Sequence, residues 1–356
     1  MQPQGRQQLT AYGYRLHTLA AYKGRSRAPL DFGDLSEGGI GTSAVSELES
    51  HLLRLKNILL FGSASYVNLP ADLDPVDPTI VRKQAKTHPY LVVRSVSRVG
   101  QRIKVLVDYG REGDYEILLS ADGAPSLELK GKAAARSYRI WFLVPSVGES
   151  GFMVSETKGR THAGAALVHW LRVQNQHGSV SFDAQGERSE ADWVRWDDRE
   201  AFDANRIDEV LRESHDHSVT LKRHRVDGAG NRLEGDLKLT QQGIPRSKLD
   251  DVKGVILKWW NERAEKSPQK KQLAATELGT ILGMSSQTSS LGFNDGEISF
   301  REKNKTQTIS PNTIERLFVY PLGEIPPKDK PLLNAALATL APIAEDLGIE
   351  VDTAPI

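Results

Sequence analysis

The sequence predicts an α+β protein of two domains, each an antiparallel sheet with helices packed on it. Three observations carry that prediction. Strand-like runs at 90–97, 102–109, 114–120 and 137–145 follow one another with only short breaks, the pattern of hairpins rather than of parallel crossover units. A strand-then-helix order then recurs in the second half of the chain. The length, 356 residues, exceeds what one hydrophobic core ordinarily serves.

The elements can be taken in order. Residues 10–22 alternate loosely and end at Gly24, which reads as an opening strand. Gly38, Gly39 and Gly41 mark a loop. Ser46 and Glu49 have capping-box spacing, so a helix is expected to start there. Val45, Leu48, Leu52, Leu55 and Leu59 follow at three- and four-residue steps and give that helix one apolar stripe. A loop rich in Pro and Asp follows (Pro70, Asp72, Asp74, Pro75, Asp77, Pro78), and then the four strands, with Arg111–Asp114 as a hairpin turn. A fifth strand, Gly151–Thr157, precedes a helix opened by Thr161, in which Ala163, Ala166, Leu167, Trp170 and Leu171 share a face.

From Gly178 to Asp216 twelve acidic residues face five basic ones, a local net of −7. The domain boundary is expected near Gly186, giving an N-terminal domain over 1–180 and a C-terminal domain over 187–356. Helical spacing at Phe202, Ile207, Val210 and Leu211 shows that the acidic stretch is not wholly a linker. Ser218–Arg225 and Arg232–Leu239 flank an Asp-Gly-Ala-Gly-Asn turn and predict a hairpin. Leu249, Val252, Ile256, Trp259 and Arg263 line one side of a helix. A second hairpin is expected over 297–300 and 306–309, and Pro331–Leu347 closes the chain as a helix that Pro342 should kink.

Composition narrows the function classes. There is no cysteine, which excludes disulfides, thiolate nucleophiles and thiolate-bound metal or clusters. The first sixteen residues hold no apolar run of signal-peptide length and no stretch is long enough to span a bilayer, so a soluble, cytoplasmic protein without membrane insertion is expected. Net charge is zero, from 46 basic and 46 acidic residues, so a polyanion-binding surface must be local.

The basic residues are in fact segregated. Residues 217–275 carry thirteen basic and seven acidic side chains, a net of +6; residues 78–107 carry seven basic and no acidic ones; residues 1–30 carry five basic and no acidic ones. Such runs are commonly a solvated face, but a patch that neutralises phosphates gains affinity by releasing counterions. Trp141, Trp193, Trp196, Trp259 and Trp260 would stack on bases if exposed, although their spacing is that of core residues.

Catalytic signals are weak. His215, His217 and His224 have a metal-like spacing, since alternate residues of a strand project to one side, but no third ligand is identifiable and no metal is assigned. Glu128-Leu129-Lys130, with Asp114 upstream, has the acid-x-lysine form used by metal-dependent nucleases, and Asp236-Leu237-Lys238 repeats it. The pattern is short enough to arise by chance. There is no phosphate-binding Gly-Lys-Ser/Thr loop, no Gly-x-Ser-x-Gly elbow and no dinucleotide fingerprint, so no cofactor or catalytic residue is assigned.

The strand Arg136–Pro145 (RSYRIWFLVP), the turn to Gly151-Phe152 and the helix carrying His169-Trp170-Leu171 resemble the Rex-type phage-exclusion proteins. So do Val219–Leu239, with its basic strand, turn and return strand, and Tyr12–Leu16. The resemblance implies a homodimeric, non-enzymatic protein that binds double-stranded DNA without sequence preference, senses phage DNA and activates a separate membrane effector. By position it points to the hairpin residues Lys222, Arg223 and Arg225, then to the helix after Arg246 with Lys248 and Lys253. Charge clustering points to the same residues and adds Lys270 and Lys271. Two alternatives stand beside it: a metal-dependent nuclease built on Asp114, Glu128 and Lys130, and an interaction scaffold whose acidic segment 183–216 docks on a basic patch.

Overall fold

The computed structural model describes residues 11–35, 43–61, 89–112, 117–118, 127–128, 133–159, 161–182, 188–213, 215–223, 237–262, 269–283, 291–302 and 305–355. Among them the chain runs β1 (Tyr12–Lys23), α1 (Ala44–Arg54), β2 (Leu59–Phe61), β3 (Pro89–Val99), β4 (Arg102–Glu112), β5 (Ile117–Leu118), β6 (Leu127–Glu128), β7 (Ala133–Leu143), β8 (Ser150–Lys158), α2 (Gly164–Gly178), β9 (Val180–Phe182), β10 (Arg188–Glu190) and β11 (Val194–Glu200). It continues with α3 (Ala204–Glu213), β12 (His215–Arg223), β13 (Leu237–Gln242), α4 (Leu249–Asn261), α5 (Gln269–Ile281), β14 (Asp295–Glu302), β15 (Lys305–Ile309), β16 (Tyr320–Gly323) and α6 (Asp329–Leu347). The mixture of helices with antiparallel sheets is the α+β class expected. No helix among the described residues is long and apolar enough to cross a membrane.

The chain divides into two compact units, Met1–Ala201 with Tyr320–Ile356, and Phe202–Val319. The division therefore falls after β11 and not near Gly186, and residues 320–356 belong with the first unit. Two physical reasons account for the difference. The acidic stretch contains a strand, β11, that pairs with β1 from His17↔Glu200 to Lys23↔Val194. The last helix is tied to the first unit by an ionic network: Arg139 donates to Glu156 through two bonds of 2.9 Å and to Asp329 at 3.1 Å, and Lys104 also reaches Asp329.

The first unit is built on an eight-stranded sheet ordered β11-β1-β8-β7-β4-β3-β2, with β16 also paired to β1. One face carries α1 and α2 over Leu19, Val105, Ile140 and Trp196, and the other carries α6 over Tyr14, Leu16, Trp141 and Val154. Both faces of the central strands are covered, which is why Gly13–His17 are buried without a break instead of alternating. Helix α1 and its C-cap Leu55 bury Val45, Leu48, Leu52 and Leu55, each worth about 2 kcal/mol, whereas Leu59, the last member of the expected stripe, opens β2 and is exposed. Its start is Ser43 rather than Ser46: Ser43 is the N-cap, Ser46 lies in the first turn, and Glu49 pairs with Arg98 at 3.2 Å. Helix α2 likewise starts later than expected, because Thr161 is still bridged to Lys158.

The second unit has a four-stranded sheet ordered β13-β12-β14-β15. Its two strand pairs, Leu221↔Leu239 and Ser299↔Thr308, join the segments expected to pair, although β13 runs Leu237–Gln242 rather than 232–239 and the turn at 227–231 lies outside the described residues. Val219, Leu221, Ile298 and Phe300 face a core made with Ile207, Val252, Ile256, Trp259 and Leu278 of the helices. The helix α5 comes so close that a Cβ on Gly296 would lie 2.7 Å from Leu278 Cδ1. The other face is polar, with Thr220 bonded to Thr240 at 3.0 Å and Ser299 to Thr308 at 2.8 Å. Pro342 lies inside α6, which runs unbroken from Asp329 to Leu347.

Candidate nucleic-acid interface

The sequence places the phosphate-binding side chains on the basic hairpin and the helix after it. Lys222 and Arg223 end β12, and Arg246 and Lys248 form a short 3-10 turn just before α4, which carries Lys253. Arg225 lies outside the described residues, and Lys270 and Lys271 fall in the first turn of α5 with only their backbone described.

Four of the five lysines of the run 217–275 whose side chains are described are neutralised where they stand. Lys222 pairs with Glu297 across β12 and β14; Lys248 lies 3.2 Å from Asp251 and Lys253 2.7 Å from Asp208; Lys258 pairs with Glu277. Exposed pairs of this kind add little stability, but each sets a carboxylate's negative charge against the positive charge its lysine presents. The Glu277 carboxylate holds the Lys258 pKa above its ordinary value. The two other basic runs are also drawn into pairs: Arg15–Glu200 in the first, and Arg94–Asp108 at 2.6 Å, Arg102–Asp352 at 2.7 Å and Lys104–Asp329 in the second.

What the fold does bring together are arginines. At the end of the sheet where β12 begins and β13 ends, a hollow of about 810 Å³ is lined by Arg212 from the end of α3, Arg246, and Arg301 from β14. Ser218, Gln242, Ser299 and Thr306 add hydroxyl and amide groups to its wall. Three guanidiniums thus face one lining carboxylate, Asp216, whose Oδ2 lies 3.7 Å from Arg301 Nη1. Arg212 and Arg246 have no carboxylate partner among the described residues. Guanidinium forks in a concave wall match the geometry of phosphate oxygens better than isolated ammonium groups do.

Sequence reasoning named only Arg246 among these three. Arg212 sits in the acidic stretch and Arg301 outside every basic run, so composition hid both; adjacency at one sheet end is a property of topology alone. Lys222 and Arg223 lie at the far end of β12, about 26 Å along the strand from its start, so they do not share the hollow. The structure also changes the histidine reading. A register shift between His215 and Ser218, with Asp216 at φ +55°, breaks the alternation that would have put His215 and His217 on one side. No group of three His, Asp or Glu among the described residues is arranged to hold a metal ion. Asp114 and Lys130 of the nuclease reading lie outside the described residues, and of Glu128 only the backbone is described, in the two-residue strand β6.

Trp141, Trp193, Trp196, Trp259 and Trp260 are all buried, as their spacing suggested, so none offers a stacking platform for bases. No protein-family model, curated protein or solved structure matches the chain.

Proposed function

We propose that the protein binds nucleic acid through the phosphate backbone at the arginine hollow of the second unit, with double-stranded DNA as the partner and no catalysis. The convergence of Arg212, Arg246 and Arg301 on one concavity carries the reading. The burial of the tryptophans supports a grip on phosphates that ignores base identity. Taken with the resemblance to the Rex-type phage-exclusion proteins, this describes a cytoplasmic, two-domain, homodimeric sensor in phage exclusion that signals to a separate membrane effector.

A mobility-shift titration on random duplex DNA at several salt concentrations, with and without magnesium, tests it. Three phosphate contacts predict that log K falls with log salt at a slope of about −2.7, and Arg246→Glu should weaken binding to all sequences alike and reduce that slope by at least about 0.9. Unchanged affinity in Arg246→Glu and Arg212→Glu places DNA elsewhere or nowhere. Magnesium-dependent cutting would favour the nuclease alternative instead.

A further inference from the structure

A second constellation lies in the first unit, and it is independent of the DNA reading. Three neighbouring strands each place two polar side chains on the sheet face beneath the start of α2: Arg15 and His17 on β1, Ser155 and Thr157 on β8, Asp198 and Glu200 on β11. The loop leading into α2 lays His162 on them, its ring centroid 5.5 Å from that of His17. Arg15, His17, Ser155 and Thr157 are each more than nine-tenths buried.

The carboxylates in this cluster are already engaged. Glu200 pairs with Arg15 Nη1, and Asp198 Oδ2 lies 3.0 Å from His17 Nδ1, an ionic contact off the hydrogen-bond direction. What is left over is donor-rich. Arg15 Nε, Ser155 Oγ, Thr157 Oγ1, His162 Nδ1 and both ring nitrogens of His17 are buried with no hydrogen-bond partner among the described residues. Arg15 Nε can only donate, both hydroxyls can, and His162 Nδ1 can in one tautomer. Buried polar atoms left unmet are costly, so a cluster of six calls for a partner.

The helix adds donors of its own. The N-cap of α2 is Ala163, which has no side chain to cap it, and no acidic residue occupies the first turn. The first helical bond runs from Leu167 N to Ala163 O, so the amides before it have no partner within the helix. Gly164, the first helical residue, is pressed against the cluster: a Cβ there would lie 2.9 Å from Ser155 Oγ. A cleft of about 260 Å³ between α2 and β11 has Asp198 in common with the cluster, and its wall also carries Ala165, Arg172 and Arg199.

We propose that Arg15, Ser155, Thr157 and His162, with the first amides of α2, form a binding site for one small oxyanion of carboxylate or tetrahedral type. An acceptor with several oxygens satisfies donors on strands, loop and helix at once, which a cation cannot do. Binding is coupled to a proton. Burial, then His17 and Arg15, hold the His162 pKa down to about 3 against the pull of Asp198, and an anion beside the ring counters the repulsion from His17 and Arg15. The bound state therefore takes up a proton on His162, and the anion binds more tightly as pH falls.

The experiment is a titration of the full chain with sodium sulfate and, separately, sodium formate, followed by nuclear magnetic resonance of the backbone amides and histidine rings between pH 5.5 and 7.5. The amides of Gly164, Ala165 and Ala166 and the His162 ring should shift together to a plateau with at least one of the two anions. Affinity should fall as pH rises through this range, by up to about tenfold per pH unit where one full proton is linked to binding. Ser155→Ala should weaken it about tenfold, His162→Asn should abolish the pH dependence, and Arg246→Glu should leave these shifts unchanged. No saturable shift at 164–166 with either anion in the wild-type protein overturns the proposal, and so does a plateau insensitive to both Ser155→Ala and pH.

Discussion

Lys222 and Glu297 hold each other across the β12–β14 ladder, with Nζ of the one on the carboxylate of the other. The lysine that the sequence marks most clearly for phosphate contact is thus supplied with a competitor for any phosphate. Freeing it should be informative. Glu297→Gln is expected to strengthen binding to random duplex DNA and to steepen its salt slope by about 0.9, whereas Lys222→Ala alone should change affinity little. Parallel mobility-shift titrations on the two variants check both halves, and a Lys222→Ala protein that loses binding would contradict the neutralisation of Lys222 by Glu297.

Asp216 makes a similar case at the hollow itself. It is the lining carboxylate, it sits 3.7 Å from Arg301, and its backbone is left-handed at φ +55°. Asn tolerates that conformation about as well as Asp does, so Asp216→Asn should stay within about 0.5 kcal/mol of wild-type stability while removing the charge. DNA affinity should rise and dissociation of the DNA should slow. Urea unfolding alongside the binding titration separates the two effects.

Periodicity made the helices α1, α2, α4 and α6 and the paired hairpins of the second unit legible, because one apolar stripe or one alternating face is written along each segment. Caps were less legible: Ser46 and Glu49 have the right spacing, yet Ser43 precedes them and Glu49 is taken by Arg98. Long-range pairing was not legible at all. Nothing local in Arg195 to Glu200 says that it will lie beside β1, and nothing in Asp329 says that Arg139 and Lys104 will claim the last helix. The candidate interface failed to emerge for the same reason, since Arg212, Arg246 and Arg301 come from three elements far apart in sequence.

The Arg139–Glu156 pair ties that last helix to the sheet. Glu156 is 1% exposed and Arg139 also donates to Pro327 O at 2.6 Å. The paired carboxylate, by its hydrogen bond above all, raises the arginine pKa. Glu156→Ala leaves a largely buried guanidinium with Asp329, which Lys104 also claims, as its remaining carboxylate and should cost about 3 kcal/mol, while the double change Arg139→Met, Glu156→Leu should recover most of that loss. Urea midpoints of the single and double variants decide it, and a single variant as stable as the wild type would show the pair to be dispensable.

His51 sets a pH limit on the first unit. Its Nδ1 lies 2.8 Å from Asn175 Nδ2 and 3.1 Å from Trp196 Nε1, and an indole nitrogen can only donate, so Nδ1 is the acceptor. The proton is therefore on Nε2, facing Glu47 Oε1 at 2.7 Å. Burial drives the His51 pKa down to about 4 in spite of Glu47, because a protonated ring would put a hydrogen where two donors already point. Between that value and the unfolded one near 6.5 the unfolded chain binds the extra proton, so stability falls as pH falls through this window and levels off below about pH 4. Two and a half pH units of such linkage amount to about 3 kcal/mol, and His162, buried beside Arg15 and His17, acts in the same direction. Urea midpoints measured from pH 7 to pH 4 should therefore decline steadily. In His51→Gln, which keeps an acceptor but cannot titrate, the decline should shrink by about half, and an unaltered slope would mean that His51 takes no part in the acid response.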